Sequence, residues 1–549
     1  METIKVKYND IEAIFDKGTR LLDIATYFDN GTKEYVGAII DNTVHNMFEE
    51  INRDVELEFI DANTKDGYDI LFRTATLVFL LAAKRIFPDE LVVAEHTMND
   101  GLYLTLDSKT PIKHNKVTEI KKEMKKIIKE DYKIIRKKVD IAEAYTIFTK
   151  ENYEDRIKLY DTLDFDEVNV YEVNGHYFTF HGYIAPSTGF IDKFNVISYY
   201  PGVMVMIPTP KSNGKVPEFR EEKTLAKIFS NSKKWMSSLN INSIGDLNEK
   251  ILNNDIDFLV QVAEAYFENQ VSDIADSIVK DEDADMVLIA GPSSSGKTTL
   301  AHRLSVQLGV RGMEPIPIHM DDYFVNREDT PIDENGERNY ELLEAIDLEK
   351  FNEDLMLLIE GEEIELPRFN FVTGKREKSG RFIKLSKNSI VIIEGIHALN
   401  PKLTKLVPDK NKFKIYVSAL TQLNIDAHNR ISSSDVRLLR RMVRDNQFRG
   451  TNIESTLNEW PKVRAGETKF IFPYQDFADV AMDSSLIYEL AVIKKYAIEL
   501  FKDYDKSNKN YKEIKRLSSL LKYFVSIEDD SIIPNNSIIR ETIGKGRTC

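Results

Sequence analysis

Cysteine is all but missing from these 549 residues: the single one is Cys549. That excludes an internal disulfide and a cysteine-based zinc site, and it fits a reducing compartment. Long apolar runs are missing as well. The densest, Leu77 to Ala83, is seven residues, against the roughly 20 that a helix needs to cross a bilayer. The opening METIKVKYND has no apolar core behind a basic start, so the expectation is a cytoplasmic protein without a membrane contact. An excess of positive charge is absent too: 74 Lys+Arg stand against 90 Asp+Glu, a formal net charge of -16. General attraction to nucleic acid is therefore not supported, and the expected electrostatic partners are small anions held locally. With 42% hydrophobic residues and a length well beyond the roughly 100 to 200 residues of one domain, the chain is globular and multidomain.

What is present falls into segments of different character. From Ile4 to Ile60 the alternating stretches IKVKY, YVGAII and VELEFI, broken by Gly18, Gly31 and Gly37, predict a small mixed sheet with a helix near Leu21 to Phe28. An apolar helix follows over Thr74 to Phe87, ended by Pro88, and Asn99-Asp100-Gly101 predicts a hairpin. Between Lys109 and Lys138 there are 12 Lys+Arg against four Asp+Glu, with Ile120, Met124, Ile127 and Ile128 at helical spacing. This is an amphipathic helix with a basic face, either merely solvated or in contact with RNA phosphates. Residues 1 to 240 nevertheless carry 33 Lys+Arg and 39 Asp+Glu, so RNA contact by the front half lacks support from charge. Residues 241 to 280 read as helical throughout, and the charged step KDEDAD at 280 to 285 marks the main boundary before the apolar strand MVLIA.

The chemistry gathers after that boundary. Gly291-Pro292-Ser293-Ser294-Ser295-Gly296-Lys297-Thr298-Thr299 has the GxxxxGK[ST] spacing, directly after a strand and before a helical stretch. Glycines let successive N–H groups turn inward onto phosphate oxygens, the helix N-terminus adds positive dipole, Lys297 bridges the terminal phosphates and the Thr298 hydroxyl ligates Mg²⁺. ATP with Mg²⁺ is the expected occupant. A second strand, Ile316 to Met320, ends in Asp321-Asp322-Tyr323-Phe324. In a parallel sheet this sets a carboxylate across from the γ-phosphate as a candidate base, although paired aspartates after a strand also serve as a turn or a cap. A third strand, Ser389 to Ile393, carries Glu394-Gly395, where a carboxylate can hold Mg²⁺ directly or through water. Arg430, Arg437, Arg440, Arg441, Arg444 and Arg449 fall within 20 residues without a lysine among them. Planar guanidiniums suit phosphate clamping, and the expectation is a mobile arginine lid.

Taken together, about 286 to 490 resembles the uridine kinase and phosphoribulokinase family. Its strand-end Asp with aromatics looks like Asp321, Tyr323 and Phe324. Its Phe-Glu-Gly strand end looks like Ile393-Glu394-Gly395, and its Arg-x-x-Arg-Arg-x-x-Arg-Asp segment looks like Arg437 to Asp445, with Arg449-Gly450 beyond. The resemblance implies that Asp321 is the general base, that Arg441 and Arg444 reach phosphates or ribose, and that the acceptor is the 5′-hydroxyl of a nucleoside. Through it Tyr323, Glu341, Phe369, Arg376 and Arg441 become candidate substrate contacts. Departures fall where the family reads the base: Pro367-Arg368-Phe369-Asn370-Phe371 stands for Pro-x-Tyr-Asp-Phe, Gly374 for a histidine and Thr451 for an arginine.

The first 225 residues resemble the amino-terminal part of threonyl-tRNA synthetase, a TGS domain followed by the editing-type domain, through AKRIFPDE (83 to 90), NDGLYLTLD (99 to 107), EMKKIIKED (123 to 131) and APSTGFI (185 to 191). The positions matching that family's histidine and cysteine pairs hold Arg73 and Leu77, then Phe180 and Ile184, so neither zinc nor deacylation carries over. The expected architecture is multidomain α/β and α+β: a TGS-like domain at 1–62, an editing-like α+β domain at 63–225, a helical linker at 226–284, a P-loop kinase with a parallel sheet flanked by helices at 285–500, and a helical tail at 501–549. The function expected is an ATP-dependent kinase for a nucleoside. Alternatives are a P-loop kinase for another small hydroxyl compound and a nucleotide-gated regulator associated with RNA or the ribosome.

Overall fold

Alternation of apolar and polar residues builds the first sheet, as in β1 (Thr3–Tyr8), where Ile4 and Val6 point inward between exposed Thr3 and Lys5. The computed structural model describes residues 2–29, 35–332, 336, 338–370, 373–421 and 423–546; Gly31, Phe371 and Cys549 lie outside the described residues. With β2 (Ile11–Asp16), β3 (Tyr35–Ile40), β4 (Thr43–His45) and β5 (Val55–Asp61), β1 forms a mixed sheet in the order β2-β1-β5-β3-β4. β1 runs parallel to β5, and α1 (Leu21–Asp29) covers one face through Leu21, Ile24 and Ala25.

Next comes α2 (Lys65–Ile86), capped by the Thr64 side chain, which accepts from the Gly67 amide. The predicted hairpin joins β6 (Val92–Met98) to β7 (Gly101–Leu106), with Asn99 and Asp100 at φ 46° and 60°, as a tight two-residue turn requires. In α3 (His114–Glu130) Val117, Ile120, Met124 and Ile127 are buried, while Lys122, Lys125, Lys126 and Lys129 face outward. A three-stranded sheet, β8 (Ile135–Asp140), β9 (Glu167–Val173) and β10 (His176–Phe178), packs with α4 (Ile141–Glu151) and α5 (Glu154–Asp161). β11 (Asn195–Tyr199) and β12 (Gly202–Met206) complete the antiparallel sheet β11-β12-β7-β6. Leu77 and Ile184 are fully buried in the core of this region and Phe180 packs against it. Arg73 donates Nε–H to the Tyr183 carbonyl at 2.8 Å.

The helical stretch predicted as continuous is broken. α6 (Lys223–Ser238) precedes α7 (Ile244–Leu252) and α8 (Ile256–Lys280), and Asn254 at φ 60° makes the turn between the last two. The stripe Val260, Ala263, Phe267, Val271, Ile274 and Ile278 of α8 is buried together with Val287 and Ile289 of the next strand.

That strand, β13 (Met286–Ala290), is the centre of a parallel sheet in the order β14-β17-β13-β18-β21, with β14 (Glu314–His319), β17 (Ser389–Glu394), β18 (Lys412–Ser418) and β21 (Val480–Asp483). Both faces are covered, which is why the strands read as continuous apolar runs: Val287, Ile289, Ile392 and Ile415 face one core, Met286, Leu288, Ile393 and Tyr416 the other. Crossing elements include α9 (Lys297–Val310), α10 (Leu348–Ile359), the hairpin β15 (Ile364–Asn370) and β16 (Lys375–Ile383), the short hairpin β19 (Asn424–Asp426) and β20 (Asn429–Arg430), α11 (Ser433–Phe448) and α12 (Ile453–Phe470). α13 (Glu489–Phe501), α14 (Tyr511–Leu521) and α15 (Arg540–Ile543) follow. Residues 501–549, expected as a polar tail, place Leu517, Leu521, Phe524, Ile538 and Ile543 in the same core as β13. Apolar residues at helical spacing in YKEIKRLSSLL account for this packing.

The two halves meet at the short hairpin. The Ala94 amide donates to the Ala427 carbonyl at 2.7 Å, Asn424 Nδ2 to the Ala94 carbonyl at 2.7 Å, and the His181 amide to Asn429 Oδ1 at 2.8 Å. Arg156, fully buried, lies 3.8 Å over the Tyr153 ring, 2.7 Å from His428 Nδ1 and 3.4 Å from Asp426. Among the described residues no helix is long and apolar enough to cross a membrane.

Candidate active site

The sheet delivers β13, β14 and β17 side by side, so the loops at their carboxyl ends share one edge. After β13 the loop Gly291 to Gly296 turns tightly into α9. Ser294 and Gly296 sit at φ 57° and 80°, and a side chain at Gly291 would meet the Val417 carbonyl oxygen at 2.0 Å. Glycine is therefore a steric requirement at position 291. The Lys297 ammonium folds back onto the loop, donating to the carbonyls of Gly291 at 3.0 Å and Pro292 at 3.1 Å. Burial pulls its pKa below the usual lysine value, and the nearby charges of Glu394, Glu541 and Glu467 oppose that pull. The Ser294 and Ser295 hydroxyls are buried and hold no hydrogen-bond partner among the described residues.

The Thr298 hydroxyl donates to Glu394 Oε1 at 3.1 Å, which brings both expected Mg²⁺ ligands together. The pair is made of hard oxygen donors, the kind Mg²⁺ takes. Asp321 opens onto the same cleft at the end of β14. Asp321 is exposed to solvent, yet the protein packed around its carboxyl and the like charge of Glu394 raise its pKa above the ordinary aspartate value despite Lys297. Glu341 behaves alike: burial raises it, while Arg441 and Lys297 pull it down.

The arginines differ from the expectation of a mobile lid. Arg437, Arg440 and Arg444 are 2%, 4% and 9% exposed on α11, because carboxylates on neighbouring helices neutralise them. Arg437 donates to Glu467 at 2.5 and 3.0 Å and to the Ser293 carbonyl at 3.1 Å. Arg440 pairs with Glu489 and donates to the Ser484 carbonyl at 2.9 Å. Arg441 reaches the loop itself, donating to Ser293 Oγ at 3.0 Å. Arg444 lies 2.8 Å from Asp445 and 3.5 Å from Glu541. The wall beside the loop is thus a packed helix.

Two candidate substrate contacts are not in the cleft. Tyr323 is 1% exposed, bonded through its hydroxyl to Asp354 at 3.1 Å and packed edge-on against Phe351. Phe369 is 4% exposed and packs edge-on against Phe324. Both are core residues, buried in the same apolar cluster as Phe351 and Leu366. Arg376 pairs with Asp347 at 2.7 Å and steadies the start of α10. Asp322 accepts from the Phe369 amide at 3.3 Å.

Three groups at the site carry no sequence motif. Glu467 on α12 accepts from the Ser293 amide of the loop at 3.0 Å and from Arg464 at 2.5 Å. Burial alone would raise its carboxyl, but Arg437 and Arg464 hold it below the usual value. Glu541 accepts from the Thr299 hydroxyl at 2.8 Å. His397, three residues past Glu394, stands 2.9 Å from the Glu341 carbonyl, and burial lowers its pKa to about 4. The isoleucine pattern of SIIRETIG was the one signal that the segment carrying Glu541 packs inward.

Residues 286–486 match the phosphoribulokinase / uridine kinase family. Uridine kinase of Staphylococcus aureus (strain JH9) is 31% identical over 193 residues, which are 35% of this chain and 84% of the relative. Among solved structures, a possible uridine kinase from Bacillus stearothermophilus is 25% identical over 36% of this chain and 89% of its own, with a TM-score of 0.25. A putative fructose transport system kinase from Silicibacter sp. TM1040 is 17% identical over 39% of this chain and 98% of its own, with a TM-score of 0.28.

Proposed function

Because the chain belongs to the phosphoribulokinase / uridine kinase family through residues 286–486, we propose that it is an ATP-dependent kinase whose acceptor is the 5′-hydroxyl of a nucleoside. The observation that carries this reading is the convergence at one sheet edge of Lys297, the Thr298–Glu394 pair and Asp321, with Arg441 reaching the loop.

In the proposed reaction the acceptor oxygen attacks the γ-phosphorus, its proton passes to the Asp321 carboxylate, and the bond from the γ-phosphorus to the β–γ bridging oxygen breaks to release ADP. The backbone amides of 291–299 and Lys297 hold the phosphates, and Arg441 faces the charge that spreads over the transferring group. Thr298 and Glu394 would hold Mg²⁺, which supplies charge neutralisation when bound. Glu341, beside Asp321 and Arg441, is the acceptor-binding carboxylate that remains in the cleft.

Burial of Tyr323 and Phe369, with Asn370, Gly374 and Thr451 at positions that depart from the family's base-reading residues, favours a second acceptor class, a small hydroxyl compound other than uridine or cytidine. We also keep the division at 62, 225, 284 and 500, and the TGS-like and editing-like nature of the front half, as proposals. A panel assay of ATP consumption against the common nucleosides decides: turnover with none of them, while a sugar or other alcohol is phosphorylated, rejects the nucleoside reading.

A further inference from the structure

The strongest unassigned feature is the segment Asn536–Ile543, which lies on the phosphate loop instead of in solvent. Its Ile538 side chain rests on the bare Cα of Gly296: a Cβ there would stand 2.2 Å from Ile538 Cδ1. The Asn536 carbonyl accepts from Arg303 of α9 at 2.5 Å. Beyond these anchors, Glu541 presents its carboxylate to the Thr299 hydroxyl at 2.8 Å and to Arg444 at 3.5 Å. Thr299 closes the loop whose amides are assigned above to the phosphates, Arg444 is an arginine that the family resemblance takes to phosphates or ribose, and the buried Ser294 and Ser295 hydroxyls of the loop have no hydrogen-bond partner among the described residues.

A carboxylate that accepts from a hydroxyl in the first turn of α9 and pairs with a guanidinium offers the same chemistry as a phosphate oxygen. Like charges at such separation cannot share these donors without cost, because each needs the same neutralising groups. We propose that Glu541 is a built-in anionic ligand of the nucleotide site, competing with the polyphosphate of the donor, so that nucleotide binding requires the segment around Ile538 and Glu541 to move aside. This rests on the ATP-binding reading but not on the identity of the acceptor. The competitor lowers apparent affinity by the fraction of molecules in which it is displaced.

The test uses the full chain and two probes, MgATP and inorganic tripolyphosphate, titrated by calorimetry into wild type, Glu541→Gln and Ile538→Ala. Glu541→Gln is expected to tighten both probes by roughly 3- to 10-fold, as removal of a competitor that occupies most molecules would, and Ile538→Ala to act in the same direction by loosening the anchor. Amide hydrogen exchange supplies a second readout: MgATP should speed exchange in 536–544 of the wild type. Unchanged or weaker binding of both probes by Glu541→Gln overturns the inference. Weaker MgATP with unchanged tripolyphosphate also overturns it and makes Glu541 a reader of the nucleoside part. Slower exchange in 536–544 on adding MgATP counts against it as well. Tighter nucleotide binding without phosphorylation of any nucleoside would leave this inference standing while rejecting the acceptor proposed above.

Discussion

Charge is buried in both halves of the molecule, but it is balanced differently. In the front half buried charge is held in closed pairs such as Lys84 with Glu151, and Arg156 with Asp426 across the hairpin. Around the phosphate loop, Asp321, Glu341, Glu394, Glu467 and Glu541 crowd the neighbourhood of Lys297 and the α11 arginines. Closed pairs of the first kind hold elements together, and breaking one strands a charge. Groups of one sign gathered on a sheet edge shift one another's ionisation, the signature of a site prepared for proton and phosphate chemistry.

The largest effect that would sharpen this contrast is expected at Asp321. Asp321→Asn should lower turnover by about 10² to 10⁴ while MgATP affinity stays nearly constant. With its pKa raised, wild-type turnover should fall as pH drops through a midpoint above the ordinary aspartate value, and the variant should lose that limb. Equal loss of binding and turnover would move Asp321 to the metal.

Next in size, Arg441→Ala should reduce kcat by about 10² to 10³, the range for removing one preorganised donor. Arg444→Ala should cost clearly less, because its guanidinium is engaged with Asp445 and Glu541. A reversed ranking in steady-state kinetics would show that the helix rearranges when substrate binds.

A smaller effect separates structural from reactive carboxylates. Asp483, buried at the end of β21, has its pKa raised by burial to about 6, although the Leu420 and Ser485 amides donate to it. The fold therefore penalises its ionised form: stability is full below the ordinary aspartate value and is lost as pH rises through about 6, to a total of about 3 kcal/mol. Asp483→Asn should flatten the stability profile between about pH 4 and 6, which urea titrations across that range would reveal; an unchanged slope would reject the assignment.

The smallest expectation concerns the basic face of α3. Lys122→Ala with Lys126→Ala should leave ATP turnover within about twofold, since single exposed charges far from a site contribute little. A larger loss would mean that the front half takes part in catalysis.

Motifs made most of the candidate catalytic edge legible in the sequence. Gly291 to Thr299, Asp321 and Glu394 are tied to strand ends, and a strand end in a parallel sheet fixes where a side chain arrives. The apolar periods of α3 and α8 were legible for the same reason, period translating into face. Tyr323 and Phe369 show the limit. An aromatic beside a candidate base looks the same in sequence whether it lines the site or fills the core, and only packing decides. The arginine run was legible as arginine but not as buried, because its neutralising partners Glu467 and Glu489 come from other helices. Glu541 was hidden for a stronger reason: its role depends on where residues 536–543 fold back, a contact between positions more than two hundred residues apart.

The shared core of α8, β13 and the 514–543 segment has a consequence for the order in which the protein is made. The stripe from Val260 to Ile278 leaves the ribosome before the sheet it covers, while Leu517, Phe524 and Ile538, which fill the same core, follow more than two hundred residues later. At about 5 to 20 residues per second, that interval is roughly 10 to 50 s. During it the part of this core that the 514–543 segment fills lies open, and with it the side of the phosphate loop at Gly296, so a nascent chain is exposed there to chaperones and to non-native partners.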